Sequence, residues 1–316
     1  MLPFDTANSA AVETVDCAII VVTYNSARHI ASFVSSIQAA AGSRTWRLIV
    51  VDNASRDGTR DLVPNASNIS CISAGANVGY SAGINIGRRY AGSCRTLLVS
   101  NPDVRLGRGA IEHLYEAVTA RGHGAAVPML HDAKGSLMRS LRHEPSVGGQ
   151  LGEALFGDRF SRRPAWLSEI IRDRASYHRP QLVEWATGAA IMISAACNDL
   201  VGRWDESYFL FSEEVDYARR IRAHGFTIAY VPEAVAVHDE GGSGRPTSML
   251  GLAVVNRLRY FQSYHGRWAS TMYAGTLLLE MLMRSSSRHH RQAALVLAKA
   301  IPPAILSNRF ETGRST

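Results

Sequence analysis

The sequence predicts an α/β fold: a Rossmann-like mixed sheet flanked by helices, followed by a C-terminal helical extension. Short runs rich in Val, Ile and Leu alternate with helical patterns over residues 17–128. Short runs of this composition are typical of strands covered on both faces, as in a parallel sheet. The chain has 316 residues, of which 46% are apolar and 19% charged. This composition supports a sizeable core and excludes a disordered, collagen-like or disulfide-stapled protein.

The predicted elements follow one another in a βαβ order, which favours right-handed crossovers. The predicted strands are CAIIVV (17–22), RLIVV (47–51), ISCIS (69–73), RTLLVS (95–100) and AAVPML (125–130). The predicted helices between them cover 26–40, 56–63, 80–91 and 108–121. The later part is predicted as an irregular insertion (129–182), a strand pair (183–194), a helix (213–224), two strands (226–231 and 234–238), a linker (241–248) and a helical remainder.

The composition predicts a cytoplasmic protein whose positive charge lies near its C-terminus. The first sixteen residues lack the features of a signal peptide, and no stretch reaches the roughly 20 apolar residues of a membrane span. The four cysteines show no CxxC spacing, which favours a reducing cytoplasm. Residues 257–316 contain nine Lys or Arg and two acids, a net charge of +7 that equals that of the whole chain. Because aromatic–basic interleaving is sparse, we expect no nucleic acid partner, although a nucleic-acid-binding protein remains an alternative.

Polar clusters follow three of the predicted strands. They are Thr23-Tyr24-Asn25-Ser26, Asp52-Asn53-Ala54-Ser55 and Asn101-Pro102-Asp103. Each one alone could be a cap or a turn. Since open parallel sheets bind ligands at the carboxyl ends of their strands, the three together predict a binding site at that edge.

Nucleotide binding is the chemistry that these residues suit. An ionised Asp52 accepts hydrogen bonds only, so it could receive the imide N–H of uracil or thymine, and Tyr24 offers a ring for the base to pack against. Asp103 is a hard oxygen ligand for Mg²⁺ or Mn²⁺ bridging a diphosphate. The turn after the first strand, TYNSAR, has no glycine, which argues against a dinucleotide-binding GxGxxG loop.

Six segments together resemble inverting family-2 glycosyltransferases with the GT-A fold, in their bacterial rhamnosyltransferase-like branch. They are VVTYNS (21–26), VDNASRDGT (51–59), GANVGYSAGINIG (75–87), NPD (101–103), YFLFSEEVDYARRIRAHG (208–225) and AVAVH (234–238). The string GSLMRSLRHEPS (135–146) is also similar to a segment of that branch. The resemblance covers residues 17 to about 265, and its motifs occur in the family's order.

The resemblance implies three regions and a set of donor-binding residues. We expect a flexible N-terminus (1–16), a glycosyltransferase domain (17–240) with a nucleotide-sugar-binding half (17–128) and an acceptor-binding half (129–240), and a basic helical region (241–316). The implied donor-binding residues are Thr23, Tyr24, Asn25, Asp52, Asn53, Asn77, Gly79, Asn101 and Asp103. Asp103 and His238 are the implied ligands of Mg²⁺ or Mn²⁺, and imidazole suits Mn²⁺ better.

The catalytic base and the acceptor site are implied by the same resemblance. Glu214 matches the base that deprotonates the acceptor hydroxyl, with Asp216 as the competing candidate or as an organiser of the site. Acids at the start of a helix also complement its dipole, so this pattern alone does not prove a base. The implied acceptor-binding residues are Trp185, Thr187, Arg142 and Arg257. Trp185 is expected as an apolar platform, with a core tryptophan as its alternative.

The expected reaction is transfer of L-rhamnose from dTDP-L-rhamnose to a saccharide acceptor, such as one linked to polyprenyl diphosphate, in cell-wall or polysaccharide synthesis. A UDP-sugar donor is the first alternative, and a nucleotidyltransferase is another. Residues 257–316 combine apolar segments with arginines, which favours attachment to an anionic surface at the cytoplasmic face of the inner membrane. Packing of this region on the domain or within a homo-oligomer is the competing expectation.

Overall fold

A computed structural model describes residues 14–157, 159, 163–239 and 247–306. The strands are β1 (Val15–Thr23), β2 (Trp46–Asp52), β3 (Ile69–Ser73), β4 (Cys94–Ser100), β5 (Val104–Leu106), β6 (Ala125–His131), β7 (Leu141–Arg142), β8 (Gln181–Leu182), β9 (Trp185–Ala186), β10 (Ala190–Ser194) and β11 (Ile228–His238). The α-helices are α1 (Ala27–Ala41), α2 (Tyr80–Tyr90), α3 (Ala110–Thr119), α4 (Val147–Phe156), α5 (Ala195–Val201), α6 (Glu213–Ala223), α7 (Thr247–Tyr264), α8 (Arg267–Met283) and α9 (Arg288–Leu306). Short 3₁₀ turns cover Thr59–Leu62, Ala165–Leu167 and Arg174–His178.

The main sheet has the order β3-β2-β1-β4-β10-β6-β11-β5, with β8 paired to β11. Strands β3, β2, β1 and β4 run parallel, and so do β6 and β11, whereas β10 is antiparallel to both of its neighbours. The sheet is therefore mixed, as predicted. Its four parallel strands place the ends of β1, β2 and β4 at one edge.

Apolar side chains from both faces of the sheet build two cores, since the strands are covered on each side. One core packs β1 and β2 against α1 and α3, through residues such as Phe33, Ile37 and Leu114. The other packs the opposite face against α2, α5 and α6, with Tyr217 and Ile221 fully buried. A third cluster joins α7, α8 and α9 around Phe261, Tyr273 and Leu297, as expected for a helical extension.

Several predicted boundaries are wrong. Strand β1 begins at Val15, inside the expected flexible segment, and residues 1–13 lie outside the described residues. The predicted helix 56–63 is only the 3₁₀ turn Thr59–Leu62, and the insertion 129–182 contains the helix α4. Residues 226–231 and 234–238 fall in the one strand β11, whose register shifts between Val231 and Val235.

The predicted strand pair at 183–194 also differs from the structure. Strand β9 pairs with β7 in a small separate sheet, while β10 enters the main sheet between β4 and β6. Of the predicted linker 241–248, residues 241–246 lie outside the described residues and α7 begins at Thr247. Within the described ranges, no helix combines the length and apolarity needed to cross a bilayer.

Candidate active site

The ends of β1 and β2 meet at the carboxyl edge of the sheet, where Thr23 pairs in register with Asp52. The Thr23 hydroxyl donates to one carboxylate oxygen of Asp52 over 3.0 Å, and the Ser55 amide donates to the other over 3.1 Å. Both Thr23 and Asp52 are fully buried. The Asp52 carboxylate therefore lies below the surface of this edge and holds the turn after β2, and its contact with a nucleobase stays a prediction.

The exposed surface above the Asp52 carboxylate belongs to Tyr24 and Asn25. Tyr24 is 53% exposed, so its ring is free to pack against a flat ligand. Asn25 has a left-handed backbone (φ 52°), and its amide oxygen accepts the Arg56 N–H over 2.9 Å. These contacts fix the turn after β1 to the turn after β2 and leave the Tyr24 ring accessible.

The glycine-rich segment before α2 contacts both the turn after β2 and the segment that leads into α6. The Asn53 amide donates to the Gly79 carbonyl over 3.0 Å, and the exposed Asn77 accepts the Gly79 N–H over 3.2 Å. Gly79 has φ 88°, and a Cβ there would lie 2.5 Å from the carbonyl oxygen of Phe209. Glycine is needed at position 79 because the two chain segments touch through their backbones.

Asp103 and His238 form a pair of potential metal ligands. The antiparallel pairing of β5 with β11 aligns Val104 with His238, and a carboxylate oxygen of Asp103 lies 3.3 Å from His238 Nε2. Over the described ranges, no group of three or more His, Cys, Asp or Glu side chains could hold a metal. Two protein ligands still suit a divalent ion that takes further oxygens from a substrate diphosphate. Carboxylate with imidazole fits Mn²⁺.

A cavity of about 1110 Å³ extends from His238 of this pair to the candidate base Glu214. Its wall includes Asn101 and His238 at the strand ends and Glu214 at the start of α6. Beyond these residues it extends to the C-terminal helices, where Arg257 and Met283 line it. The structure thus brings His238 and Glu214 to one cavity, with Asp103 next to His238, while the roles of these residues stay a prediction.

Glu214 lies in the first turn of α6, after a strained turn. Phe211 and Ser212 both have left-handed backbones (φ 71° and 73°), which are costly for residues with a Cβ. A Cβ added at Gly188 would lie 3.4 Å from the Glu214 Cβ, so the chain passes close to this side chain. Within the described residues, Glu214 Oε2 is buried and has no hydrogen-bond partner. Burial raises the pKa of Glu214, and the nearby Arg142 charge partly opposes this increase.

Asp216 occupies a different environment. Its carboxylate accepts the Arg220 guanidinium over 2.8 Å and the Tyr264 hydroxyl over 2.5 Å, and it does not line the cavity. The structure therefore favours Glu214 over Asp216 as the base. Asp216 instead joins α6 to α7, which fits an organising role.

The four candidate acceptor residues all line the cavity, but they do so differently. Trp185 is only 7% exposed, and its indole N–H donates to the His143 carbonyl over 2.8 Å. The expected open platform is therefore wrong: Trp185 is a core residue with an edge in the cavity wall. Arg142 stacks 5.9 Å from the centre of the Trp185 ring. Arg257 is paired with Glu169 over 2.6 Å, and Thr187 lies beside Gly188.

Three further residues at this site were not among the sequence-derived candidates. Tyr80 and Glu213 line the cavity, and both lie in motifs that could have drawn attention to them. Asn256 on α7 is 3% exposed, and its amide donates to the carbonyls of Leu210 (2.8 Å) and Phe211 (3.2 Å). It therefore holds the strained turn, and nothing in the local sequence around Asn256 marks it.

The fold and the site together define a transferase that acts on a nucleotide-activated substrate. The sequence profile of glycosyl transferase family 2 matches residues 18–185, so the chain belongs to this family, in its rhamnosyltransferase-like branch. The protein is an enzyme, a glycosyltransferase. This membership selects the glycosyltransferase hypothesis over the nucleotidyltransferase alternative.

Relatives and solved structures agree with this membership. The chain is 29% identical over 304 residues to an N-acetylglucosaminyl-diphospho-decaprenol L-rhamnosyltransferase of Mycobacterium tuberculosis, covering 89% of this chain and 97% of the relative. Its fold is similar to GalNAc-T7 with UDP, GalNAc and Mn²⁺ (TM-score 0.56, 11% identity), covering 92% of this chain but only 55% of that longer one. It is also similar to a mannosyltransferase of Pyrobaculum calidifontis with GDP-Man and Mn²⁺ (TM-score 0.53, 14% identity, 93% and 86% covered). The predicted GT-A fold is confirmed.

Proposed function

We propose that this enzyme transfers L-rhamnose from dTDP-L-rhamnose, with inversion, to a saccharide carried on polyprenyl diphosphate. The observation that carries the proposal is that Glu214, a buried carboxyl, lines the same cavity as His238, whose imidazole lies 3.3 Å from the Asp103 carboxylate. The similarity to the mycobacterial rhamnosyltransferase supports both the donor and the acceptor class. Such a reaction belongs to cell-wall or polysaccharide synthesis at the cytoplasmic face of the membrane.

The proposed mechanism is a single displacement. Glu214 takes the proton of the acceptor hydroxyl while the oxygen of that hydroxyl forms a bond to the anomeric carbon of the donor. The bond between that carbon and the diphosphate breaks, and its electron pair leaves with the nucleoside diphosphate. The acceptor oxygen attacks on the side opposite the leaving group, so the configuration of the anomeric carbon is inverted. One carboxylate that acts as the base on that side is sufficient, as in inverting hydrolases. A positioned base typically contributes roughly 10²- to 10⁴-fold in rate.

The metal would be held by Asp103 and His238, with the remaining positions taken by diphosphate oxygens. A bound Mn²⁺ or Mg²⁺ would neutralise charge on the departing diphosphate. The Tyr24 ring is the candidate surface for the nucleobase of the donor, while Asn53, Asn77 and Gly79 shape the loop beside it. Thr23 and Asp52 would support this surface from below.

Arg142 is the strongest candidate for binding an anionic acceptor. Across the described part of the chain it makes no ion pair with a carboxylate, and its guanidinium donates to backbone carbonyls such as that of Leu141 over 3.2 Å. Burial lowers its pKa, because the charged form loses solvation. A phosphate in the cavity would restore this lost stabilisation, since arginine binds phosphate oxygens in a bidentate manner.

A transfer assay tests the donor and the acceptor together. Purified enzyme with Mn²⁺ is offered dTDP-rhamnose, UDP-glucose or UDP-N-acetylglucosamine, and polyprenyl-diphosphate-linked N-acetylglucosamine as acceptor. We expect rhamnosylated lipid from the first donor only, with inverted anomeric configuration by NMR. Transfer from a UDP-sugar instead would establish the alternative donor, and a retained configuration would exclude Glu214 as the sole carboxylate of the mechanism.

The outer surface of α8 is the proposed membrane contact. Trp268 (87% exposed), Met272, Leu282 and Met283 lie on one side of the helix, and arginines such as Arg267 and Arg288 flank them. Exposed apolar side chains bordered by arginine favour an interface with anionic lipid. Flotation with anionic and neutral liposomes tests this: we expect binding to anionic vesicles, lost in Trp268→Ser/Met272→Ser. A protein that stays unbound but forms a dimer sensitive to these substitutions would support an oligomer interface instead.

A further inference from the structure

Besides Glu214, two buried polar groups near the strand ends line the cavity and have no hydrogen-bond partner within the described residues. They are the hydroxyl of Tyr80, at the start of α2, and Oε2 of Glu213, at the start of α6. Glu213 is only 5% exposed. A buried polar group without a hydrogen bond is costly, because it has lost its hydration and gained nothing in exchange. Two such groups on one cavity wall therefore point to a ligand that supplies the missing bonds.

Tyr80 and Glu213 line the same cavity as Glu214 and as His238, the neighbour of Asp103. Burial and then the charges of Glu213, Glu214 and Asp103 raise the pKa of the Tyr80 hydroxyl. In the proposed reaction the anomeric carbon lies between the diphosphate at Asp103 and the base Glu214. A group in the cavity wall between these two would border the sugar ring of the donor rather than its nucleoside.

The backbone around Tyr80 fixes this position. The Tyr80 N–H donates to the Phe209 carbonyl over 2.7 Å, which joins α2 to the segment leading into α6. On its other side, the carbonyl of Gly79 accepts the amide of Asn53 at the donor edge. Tyr80 and Glu213 thus come from two elements that are connected directly, so their polar ends can act as one recognition unit.

Glu213 is suited to hydrogen bonding with a neutral sugar. Burial and the adjacent Glu214 raise its pKa well above the usual value. A carboxyl accepts hydrogen bonds in either protonation state and also donates one when it is protonated. A tyrosine hydroxyl likewise donates and accepts. This combination matches the hydroxyl groups of a sugar ring and offers nothing specific to a phosphate.

We propose that Tyr80 and Glu213 form a subsite that binds ring hydroxyls of the transferred sugar and so determines donor-sugar specificity. This inference rests on the proposed function, since it assumes that Asp103 and Glu214 bracket the anomeric carbon. It assigns to Tyr80 and Glu213 a role in ground-state and transition-state binding of the sugar, separate from proton transfer.

The first test compares binding of a nucleotide sugar with binding of the bare nucleoside diphosphate by calorimetry. Tyr80→Phe removes only the hydroxyl, and Glu213→Ala removes the carboxyl. We expect each to weaken dTDP-rhamnose binding by about tenfold and to leave dTDP binding within twofold of wild type. Tyr90→Phe, on the exposed last turn of the same helix, is the matched control and should change neither.

The second test asks which hydroxyl of the donor sugar forms a hydrogen bond with the Tyr80 hydroxyl, by removing the two hydroxyls separately and together. Donors lacking the 2-, 3- or 4-hydroxyl are transferred by wild type and by Tyr80→Phe, and kcat/KM is measured. For one deoxy donor the penalty of Tyr80→Phe should disappear, because the bond that it removes is already missing. Penalties that stay the same for every donor, or equal weakening of dTDP and dTDP-rhamnose, would overturn the subsite.

Failure of the proposed function gives a different result. If the donor were not dTDP-rhamnose, wild type itself would bind and transfer another nucleotide sugar. Two comparisons made with that nucleotide sugar would then test the subsite. They are its affinity relative to that of its nucleoside diphosphate, and kcat/KM of wild type relative to Tyr80→Phe for its deoxy forms. An effect of Tyr80→Phe on the KM of the acceptor alone would assign the pair to the acceptor and refute the inference.

Discussion

Replacing Asn256 by leucine tests whether the C-terminal helices hold the catalytic base in place. The Asn256 amide donates to two carbonyls of the turn that precedes α6, at 2.8 and 3.2 Å. A buried hydrogen bond contributes about 1 kcal/mol net, so leucine should remove about 2 kcal/mol. The turn that loses this support contains Phe211 and Ser212, whose left-handed backbones (φ 71° and 73°) each cost roughly 1 kcal/mol.

We expect this loss to affect both stability and catalysis. For a chain of 316 residues, 2 kcal/mol lowers the midpoint of thermal unfolding by about 3 °C. If the same free energy keeps Glu214 in its productive position, kcat should fall by roughly 10- to 30-fold. Affinity for dTDP should stay unchanged, because the donor edge is formed by β1, β2 and the loop before α2.

The assays are differential scanning fluorimetry and release of nucleoside diphosphate at saturating donor. Thr96→Val is the control: the buried Thr96 hydroxyl donates to the Asp16 carbonyl over 2.9 Å, in the half of β4 away from the site. It should cost about 1 kcal/mol of stability without lowering kcat. An Asn256→Leu enzyme that loses stability as expected but retains wild-type kcat would refute the reasoning.

Three other predictions concern the base and the metal ligands. Glu214→Gln should lower kcat by roughly 10²- to 10⁴-fold with unchanged donor affinity and melting temperature, and near-normal turnover would exclude Glu214 as the base. Because burial raises the pKa of Glu214, kcat/KM should fall as the pH drops through that raised value; Arg142→Met removes an opposing charge and should move this acidic limb to higher pH, whereas an unmoved limb in the pH profile would argue against their coupling. Asp103→Asn should abolish the thermal stabilisation by Mn²⁺ with dTDP while leaving the metal-free melting temperature unchanged; stabilisation equal to wild type would place the metal elsewhere.

Much of the nucleotide-binding half could be predicted because its information is local. Strands β1 to β4 are apolar runs, and the polar turns after β1, β2 and β4 follow directly in sequence. Parallel strands bring such turns to one edge whatever the rest of the chain does. The motif with Glu214 was similarly visible, although the sequence alone left Glu214 and Asp216 as alternatives.

The acceptor half was predicted less well because its contacts are distant in sequence. Strand β10 enters the main sheet antiparallel between β4 and β6, whereas β9 pairs with β7, and a local apolar pattern does not distinguish these pairings. Trp185 was expected to form an open platform for the acceptor, but its indole N–H donates to the carbonyl of His143 and its ring is buried. Its exposure depended on which segments cover it.

The sequence by itself determined the α/β class, the polar turns at the ends of β1, β2 and β4, and the helix that carries the proposed base, since periodicity and motif order are properties of neighbouring residues. Only the tertiary structure separated the two acids of α6, because Arg220 and Tyr264 bind Asp216 while Glu214 is left facing the cavity. It alone also placed Asn256 against the strained turn and brought Tyr80 and Glu213 to the same cavity. Burial, hydrogen-bond partners and pKa values arise from groups that meet only after the chain has folded, so no local pattern encodes them.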